Sequence, residues 1–226
     1  MILVPVKNLA NAKQRLSSLL DAAARTELAQ AMLSDVLRAI ADFAGDDVSL
    51  VTSDPFALHL AKHHRFEIIR DDSNVSETEA IEMATDACAS RGVQTTLVLP
   101  GDIPLIEAED LRAIYESAPS RGSVLVPSSE KRGSNAILRR PAGLFRLQFG
   151  NDSFMPHLAV AIATAASCVV LSLPRIGRDI DTPEDLLQLE QAAGEKRSQL
   201  LARRLLKNIG TSGLRKEQPI SVAAES

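Results

Sequence analysis

Short apolar runs alternate with longer segments of helical period along most of the chain, and this alternation limits the fold more than any other feature. Ile2–Val6, Val48–Thr52, Phe66–Arg70, Thr95–Leu99, Val124–Pro127, Ala136–Arg139 and Val169–Leu173 read as strands. Between the first two, Arg25–Phe43 carries Leu28, Met32, Leu33, Val36, Leu37 and Ile40 at spacings of three and four, one apolar helix face. Helices are also predicted over Phe56–His64, Ala108–Ser117, Ser153–Ala166 and Pro183–Ala192, and another starts at Ser76, which has the capping-box spacing to Glu79. Strands alternating with helices predict an α/β fold, a mainly parallel sheet covered on both faces. Such sheets take ligands at the carboxyl ends of their strands. Lys7, Asp102 and Asp179 each follow a predicted strand there.

The 226 residues suffice for one such domain, with 45% apolar and 24% charged side chains, the proportions of a globular chain. Net charge is −4, which disfavours a general nucleic-acid binder. No apolar run reaches the roughly 18–20 residues that cross a membrane, and Met1–Val6 lacks the features of a signal peptide, so the expected location is the cytoplasm. Cys88 and Cys168 lie far apart in apolar surroundings and read as small buried hydrophobes. The end of the chain differs from the rest. From Glu195 onward Lys196, Arg197, Arg203, Arg204, Lys207, Arg215 and Lys216 interleave with Leu200, Leu201, Leu205 and Leu206. The reading is a domain over 1–194, then over 195–226 a basic amphipathic helix to about Asn208 and a polar disordered end. That helix either docks on the domain or a partner subunit, which makes a homodimer an expectation, or stands in solvent.

Several common sites are absent. There is no G-x-G-x-x-G, no G-x-x-x-x-G-K-[ST] and no H-E-x-x-H, and His59, His63 and His64 read as surface residues of one short helix. Three sets of residues remain. Asp102 sits in Leu97-Val-Leu-Pro-Gly-Asp-Ile-Pro104, where Gly101 allows a close backbone approach and the prolines stiffen the turn. A carboxylate fixed in this way suits magnesium, although it would also cap a turn. Asp179 and Asp181 alternate about Ile180; Thr182 and Pro183 that follow are explained as an N-cap and first helical residue, whereas Asp179 is not. Lys7, Lys13 and Arg15 follow the first strand, where phosphates would lie. Together these parts suit nucleotidyl transfer, in which an acceptor attacks the α-phosphate of a nucleoside triphosphate and pyrophosphate leaves. Positioning and charge neutralisation by the carboxylates, magnesium and lysines then do most of the catalysis. An acceptor phosphate, with its second pKa of about 6, needs no general base.

These residues resemble the 2-phospho-L-lactate and phosphoenolpyruvate guanylyltransferases of coenzyme F420 biosynthesis. The likeness runs from Met1 to about Leu189. It rests, in order, on Val4-Pro-Val-Lys-Asn-Leu-Ala-Asn-Ala-Lys-Gln-Arg-Leu16, Ala31-Met-Leu-Ser-Asp-Val-Leu37, Gly101-Asp-Ile-Pro104, Gly133-Ser-Asn-Ala136, Phe149-Gly-Asn-Asp-Ser-Phe154 with His157, and Asp179-Ile-Asp-Thr-Pro183. The resemblance implies a Rossmann-like, GT-A-like nucleotidyltransferase fold and transfer of GMP from GTP to a small phosphorylated acid: 2-phospho-L-lactate, phosphoenolpyruvate or 3-phosphoglycerate. It implies that Lys7 contacts the acid, that Asp102 and Asp179 bind magnesium with Asp181 beside them, and that Asn135, Gly150 and Ser153 hold the acceptor with Lys13 and Arg15. Pro100, Gly101, Glu77 and Thr78 are the expected nucleotide contacts. The segment Val75-Ser-Glu-Thr-Glu-Ala80 departs from the Leu-Asn-x-Ala of many relatives, with Glu77 in place of Asn. The expected partners are GTP, the acid and the downstream transferase of the pathway.

Two other functions fit parts of the pattern. A cytidylyl- or uridylyltransferase for a sugar phosphate or molybdenum-cofactor precursor would have a similar fold, but usually with a glycine-rich first loop; Lys7–Lys13 contains no glycine. A non-catalytic nucleotide-binding regulator would use the basic tail on a partner and show no turnover.

Overall fold

The computed structural model describes residues 1–72, 75–150 and 152–214, with side chains described to residue 209. The expected polar end, with Arg215 and Lys216, lies outside the described residues. The sheet has seven strands in the order β3-β2-β1-β4-β6-β5-β7. These are β1 (Ile2–Val6), β2 (Val48–Thr52), β3 (Glu67–Ile69), β4 (Thr96–Val98), β5 (Gly122–Pro127), β6 (Ser134–Arg140) and β7 (Ser167–Val170). β1 pairs in parallel with β2 and β4, β2 with β3, and β5 with β7, whereas β6 is antiparallel to both β4 and β5. The sheet is therefore mainly parallel and mixed, as the sequence predicts. Because β6 runs backwards, its first residues, Ser134 and Asn135, lie at the edge where β1 and β4 end.

Helices α1 (Ala22–Phe43), α2 (Pro55–His64), α3 (Glu77–Ser90), α4 (Ala108–Glu116), α5 (Phe154–Ala163), α6 (Pro183–Gln191) and α7 (Arg197–Leu214) complete the chain. Their starts are set by local side chains. Asp21 and Ser76 accept from Ala24 N and Glu79 N to cap α1 and α3, and Asp54 caps α2 from the residue before Pro55. Thr182 and Asp185 form a reciprocal capping box on α6. Some ends differ from expectation. α5 stops at Ala163, because Ala165 turns left-handed (φ 54°), and β7 accordingly begins at Ser167.

Strand residues alternate between two cores, as a sheet buried on both faces requires. Ile2, Val4, Val6, Leu50 and Leu97 meet Leu33, Val36, Leu37 and Ile40 of α1. Leu3, Val51, Val98, Leu125 and Ile137 meet Ala80, Ile81 and Ala84 of α3 and Phe154 and Ala161 of α5. Cys88 is fully covered in this second core, whereas Cys168 is half-buried.

A third cluster explains the tail. Leu28, Ala31 and Met32 of α1, Leu186 and Leu189 of α6, and Leu201 and Ala202 of α7 pack with Ile180. α7 thus docks on the domain and continues past the predicted end at Asn208. Its start is held by Asp35 of α1, which is 7% exposed. The Asp35 carboxylate accepts from Arg197 N at 3.1 Å, Ser198 N at 2.8 Å and Ser198 Oγ at 2.6 Å. A cap borrowed from another helix holds α7 as tertiary structure. Asp35→Ala is expected to lower stability by about 1–3 kcal/mol, the range for a lost cap with buried donors left unpaired. Denaturant unfolding measures the loss, and amide exchange should show it concentrated in α7.

Candidate active site

Two 3-10 turns, Leu9–Asn11 and Gln14–Leu16, carry the chain away from β1. They are pinned from outside: Asp54 accepts from Leu9 N at 3.0 Å, and Asn8 accepts from Ala10 N at 2.9 Å. Between the turns Lys13 adopts a left-handed conformation (φ 57°, ψ 40°), unusual for a residue with a side chain. This turns the Lys13 side chain inward, where it is 6% exposed. Its ammonium donates to Asp102 Oδ2 at 2.6 Å and Asp181 Oδ1 at 2.8 Å. One cation therefore joins the end of β1, the turn after β4 and the segment before α6. A backbone bond from Ile180 N to the Asp102 carbonyl, 3.1 Å, reinforces the last two.

The charges are strongly coupled. Burial acts to lower the Lys13 pKa, but Asp102 and Asp181 outweigh it and hold the ammonium charged, above the usual lysine range. Burial acts to raise Asp181, and Lys13 overrides it, keeping this carboxylate below its ordinary value. Asp179 goes the other way: burial, and then the charges of Asp102 and Asp181, push it up, against a hydrogen bond from Asn135 Nδ2 at 3.0 Å. Asn135 is buried and also donates to the Ile176 carbonyl at 2.9 Å, so the amide fixes the Asp179 side chain.

Two cavities flank this cluster. The first, about 560 Å³, is lined by Lys7, Lys13, Asp102, Pro100, Gly101 and Glu77 together with apolar residues of β1 and α1. The second, about 360 Å³ and more polar, is lined by Arg15, Arg132, Arg178, Gly150, Asp179 and Asp181 among others. Lys13 and Asp102 belong to the first wall and Asp181 to the second, so the lysine's bond to Asp181 runs between the walls.

The structure brings most of the anticipated residues to these cavities, with several in roles the sequence did not indicate. Lys7 pairs with buried Asp71 at 2.5 Å while lining the first cavity. Arg15 is exposed and stands 4.0 Å from Asp181. Asn135, expected beside the substrate, donates to Asp179. Asp181, expected as a further metal carboxylate, is the counterion of Lys13. Thr78, expected at the nucleotide, does not line the first cavity and accepts from Phe149 N at 2.9 Å. Ser153, a candidate helix cap, makes no capping bond; its Oγ accepts from Ser134 N at 3.3 Å. Asp152 pairs with Arg132 at 2.6 Å and does not cap α5. Of the three surface histidines, His59 and His63 are exposed and His64 is half-buried against Phe66.

Asp54 and Asp71 escaped sequence reasoning as site residues. The Ser53-Asp54-Pro55 turn was visible, but nothing local marks that Asp54 also reaches Leu9, nor that Asp71 meets Lys7 across 64 positions. His157, 1% exposed, had no evident role. Its Nε2 accepts from Gln148 N at 2.9 Å, so Nδ1 carries the proton and donates to Ser134 Oγ at 3.0 Å. It clips the Gln148–Gly150 loop to the start of β6.

The donor set fits magnesium. Among the described residues no three His, Cys, Asp or Glu side chains stand together as a protein-only cage. Magnesium, however, usually takes one or two carboxylates and fills its remaining positions with water and phosphate oxygens. Asp102 and Asp179 are such a pair: both are hard oxygen donors, and Asp179 is raised by the charge of Asp102, a repulsion that a cation relieves.

The His157 environment gives a pH dependence. Burial first, then Arg139, lowers its pKa from 6.5 to about 4. The unfolded histidine binds its proton at higher pH than the folded one, so stability is full above pH 6.5 and falls as pH drops towards about 4. Over that window the loss is on the order of 3 kcal/mol. In His157→Gln, unfolding midpoints measured between pH 7 and 4 should show a shallower decline; an unchanged slope would assign the acid sensitivity elsewhere.

Comparison with known proteins adds to this geometry. A family model described as guanylyl transferase CofC like matches residues 1–219. The phosphoenolpyruvate guanylyltransferase of Roseiflexus castenholzii is 34% identical over 208 residues, covering 92% of this chain and 96% of that protein. The 2-phospho-L-lactate guanylyltransferase of Methanothermobacter thermautotrophicus is 32% identical over 184 residues, 81% of each chain. Among solved structures, a putative nucleotide-diphospho-sugar transferase from Desulfovibrio desulfuricans superposes with a TM-score of 0.77 at 17% identity, covering 93% of this chain and 96% of that one. A CMP:2-keto-3-deoxy-manno-octonic acid synthetase superposes with a TM-score of 0.55 at 13% identity, covering 90% and 98%. These structural likenesses show the nucleotidyltransferase fold.

Proposed function

Because this chain belongs to the CofC-like guanylyl transferase family, we propose that it transfers GMP from GTP to a small phosphorylated acid in coenzyme F420 biosynthesis, releasing pyrophosphate. The observation that carries this reading is the buried Lys13 held by Asp102 and Asp181, with Asp179 beside them, between two cavities at the carboxyl edge of the sheet. The first cavity has the apolar wall a nucleoside needs. The second is smaller and polar, and Arg15, Arg132 and Arg178 suit a compact anion.

In this reading a phosphate oxygen of the acid attacks the α-phosphorus of GTP. A new P–O bond forms as the bond to the β-phosphate oxygen breaks, and pyrophosphate leaves with the electron pair. The acceptor phosphate is ionised at neutral pH, so no side chain has to remove a proton. That agrees with a buried, neutral His157 far below its ordinary pKa. Lys13, on the wall of the first cavity, neutralises triphosphate charge, while Lys7, expected on the acid, lines the same cavity paired with Asp71. Asp102 and Asp179 would hold magnesium, with Asp181 remaining on Lys13. Bound magnesium supplies Lewis-acid neutralisation of the phosphate oxygens. Gly150, with φ 146° and open space where a Cβ would stand, lets the backbone of its loop approach the acid. Ser153 and Arg15 complete that side.

The three candidate acids differ by few atoms, and the product's phosphoanhydride makes a downstream transferase the natural partner. No helix among the described residues is long and apolar enough to cross a membrane, and a cytoplasmic enzyme is consistent with that.

Purified protein with magnesium, each of GTP, ATP, CTP and UTP, and each acid should release pyrophosphate only with GTP. Asp102→Asn and Asp179→Asn are expected to lower the rate by roughly 100-fold or more, the scale for losing a group that stabilises transition-state charge, with an unchanged circular dichroism spectrum. Full activity in both variants would rule out this assignment of the carboxylates.

A further inference from the structure

We propose that Glu77 is the specificity-determining residue for the donor base, its carboxylate accepting from the N1–H and the 2-amino group of guanine. The inference rests on the reading of the first cavity as the nucleotide site, and it starts from an unbalanced charge. Glu77 opens α3 and lines that cavity. Its carboxyl feels the charges of Asp102, Lys7 and Lys13, all of which line the same cavity. Among the described residues, the cations nearest to it are already engaged: Lys7 on Asp71, Lys13 on Asp102 and Asp181. No hydrogen bond or ion pair ties Glu77 to another described side chain. Burial, aided by Asp102, pushes its pKa up to about 7. A partly desolvated carboxylate without donors is costly, and a ligand that supplies two donors relieves that cost.

The rest of the wall says which ligand. Leu9, Met32, Leu33 and Val75 give the cavity apolar surface on which a planar base can lie, and Lys7, Lys13 and Asp102 line the same cavity with the charges that phosphates and a counterion need. Among the common bases, guanine alone presents two adjacent N–H donors on one edge. Adenine and cytosine set an amino group beside an acceptor nitrogen, and uracil flanks one N–H with two carbonyls. A carboxylate at this point therefore selects guanine and repels the carbonyl edges of its competitors. An ionised glutamate is better suited to this than an amide, because it has no donor of its own to present, and the two N–H groups of guanine favour that ionised form.

Calorimetric titration of the full-length protein with GTP, inosine triphosphate and xanthosine triphosphate, each with magnesium, tests the assignment without requiring the acceptor. The expected ranking is GTP, then inosine triphosphate, then xanthosine triphosphate. Glu77→Gln should weaken GTP by roughly 10- to 100-fold, the usual worth of a bidentate base contact, and should reverse the preference. A glutamine accepts from N1–H and donates to the 2-carbonyl of xanthine. Glu77→Asp keeps the charge with a shorter reach and should bind GTP more weakly while keeping the wild-type ranking. An unchanged ranking in Glu77→Gln overturns the inference, even where the wild type transfers GMP normally. The expected rankings without pyrophosphate release under any acceptor would uphold the base assignment and sink the transfer reaction instead. Failure of the wild type to bind any of the three overturns both.

Discussion

The Lys13 ammonium is the contact on which the site depends. A buried cation costs several kcal/mol in lost hydration unless its partners are well placed. Here two carboxylates meet it within hydrogen-bonding distance, from segments 89 and 168 positions away. The lysine reaches them because its backbone is left-handed, and that backbone holds because Asp54 and Asn8 fix the preceding turn. The site is thus not three loops that happen to converge. The end of β1, the turn after β4 and the approach to α6 are joined through one charge, and none of the three is set without the others.

The same contact leaves the site short of positive charge. Lys13 faces Asp102 and Asp181, and Asp179 is raised by burial and by those two neighbours, so one buried cation stands among three carboxylates, with exposed Arg15 4.0 Å from Asp181. Asn135 holds Asp179 in place without neutralising it. An environment this acidic would repel a triphosphate, and a divalent ion converts it into one that accepts phosphates. Two of the basic residues that line the cavities, Lys7 and Arg132, already share their charge with Asp71 and Asp152. A metal is proposed here from this imbalance rather than from a cage of ligands.

Much of the fold could be read from the sequence. β1 and β2 fall at their predicted residues, and the helices agree closely at their starts, because caps such as Ser76, Asp54-Pro55 and Thr182-Pro183 are local signals. Ends governed by neighbours were less visible. The limits of β7 follow from its pairing with β5, and the length and docking of α7 follow from Asp35 on another helix. The site divides in the same way. Lys7, Lys13, Asp102 and Asp179 were found because they follow strands or match an ordered set of segments. Their partners were not, because Asp71, and the role of Asn135 on Asp179, depend on which strands lie side by side. The antiparallel course of β6 is what carries Asn135 to the ligand edge, and no periodicity in the sequence encodes direction.

The first turn of α3 shows how the two halves of the site are tied together. Glu77 faces the first cavity, and Thr78, its neighbour in sequence, accepts from Phe149 N in the loop that leads to Gly150 and the second cavity. His157 holds the same loop from its other side through Gln148 N, and passes the restraint to Ser134 and so to Ser153. A helix start is a stiff element, since its first residues are fixed by the Ser76 cap and by the turns that follow. Adjacent residues on it cannot move independently. A displacement of this turn would therefore reach the loop that borders the second cavity, so the two cavities are joined by the Lys13–Asp181 bond and by the first turn of α3.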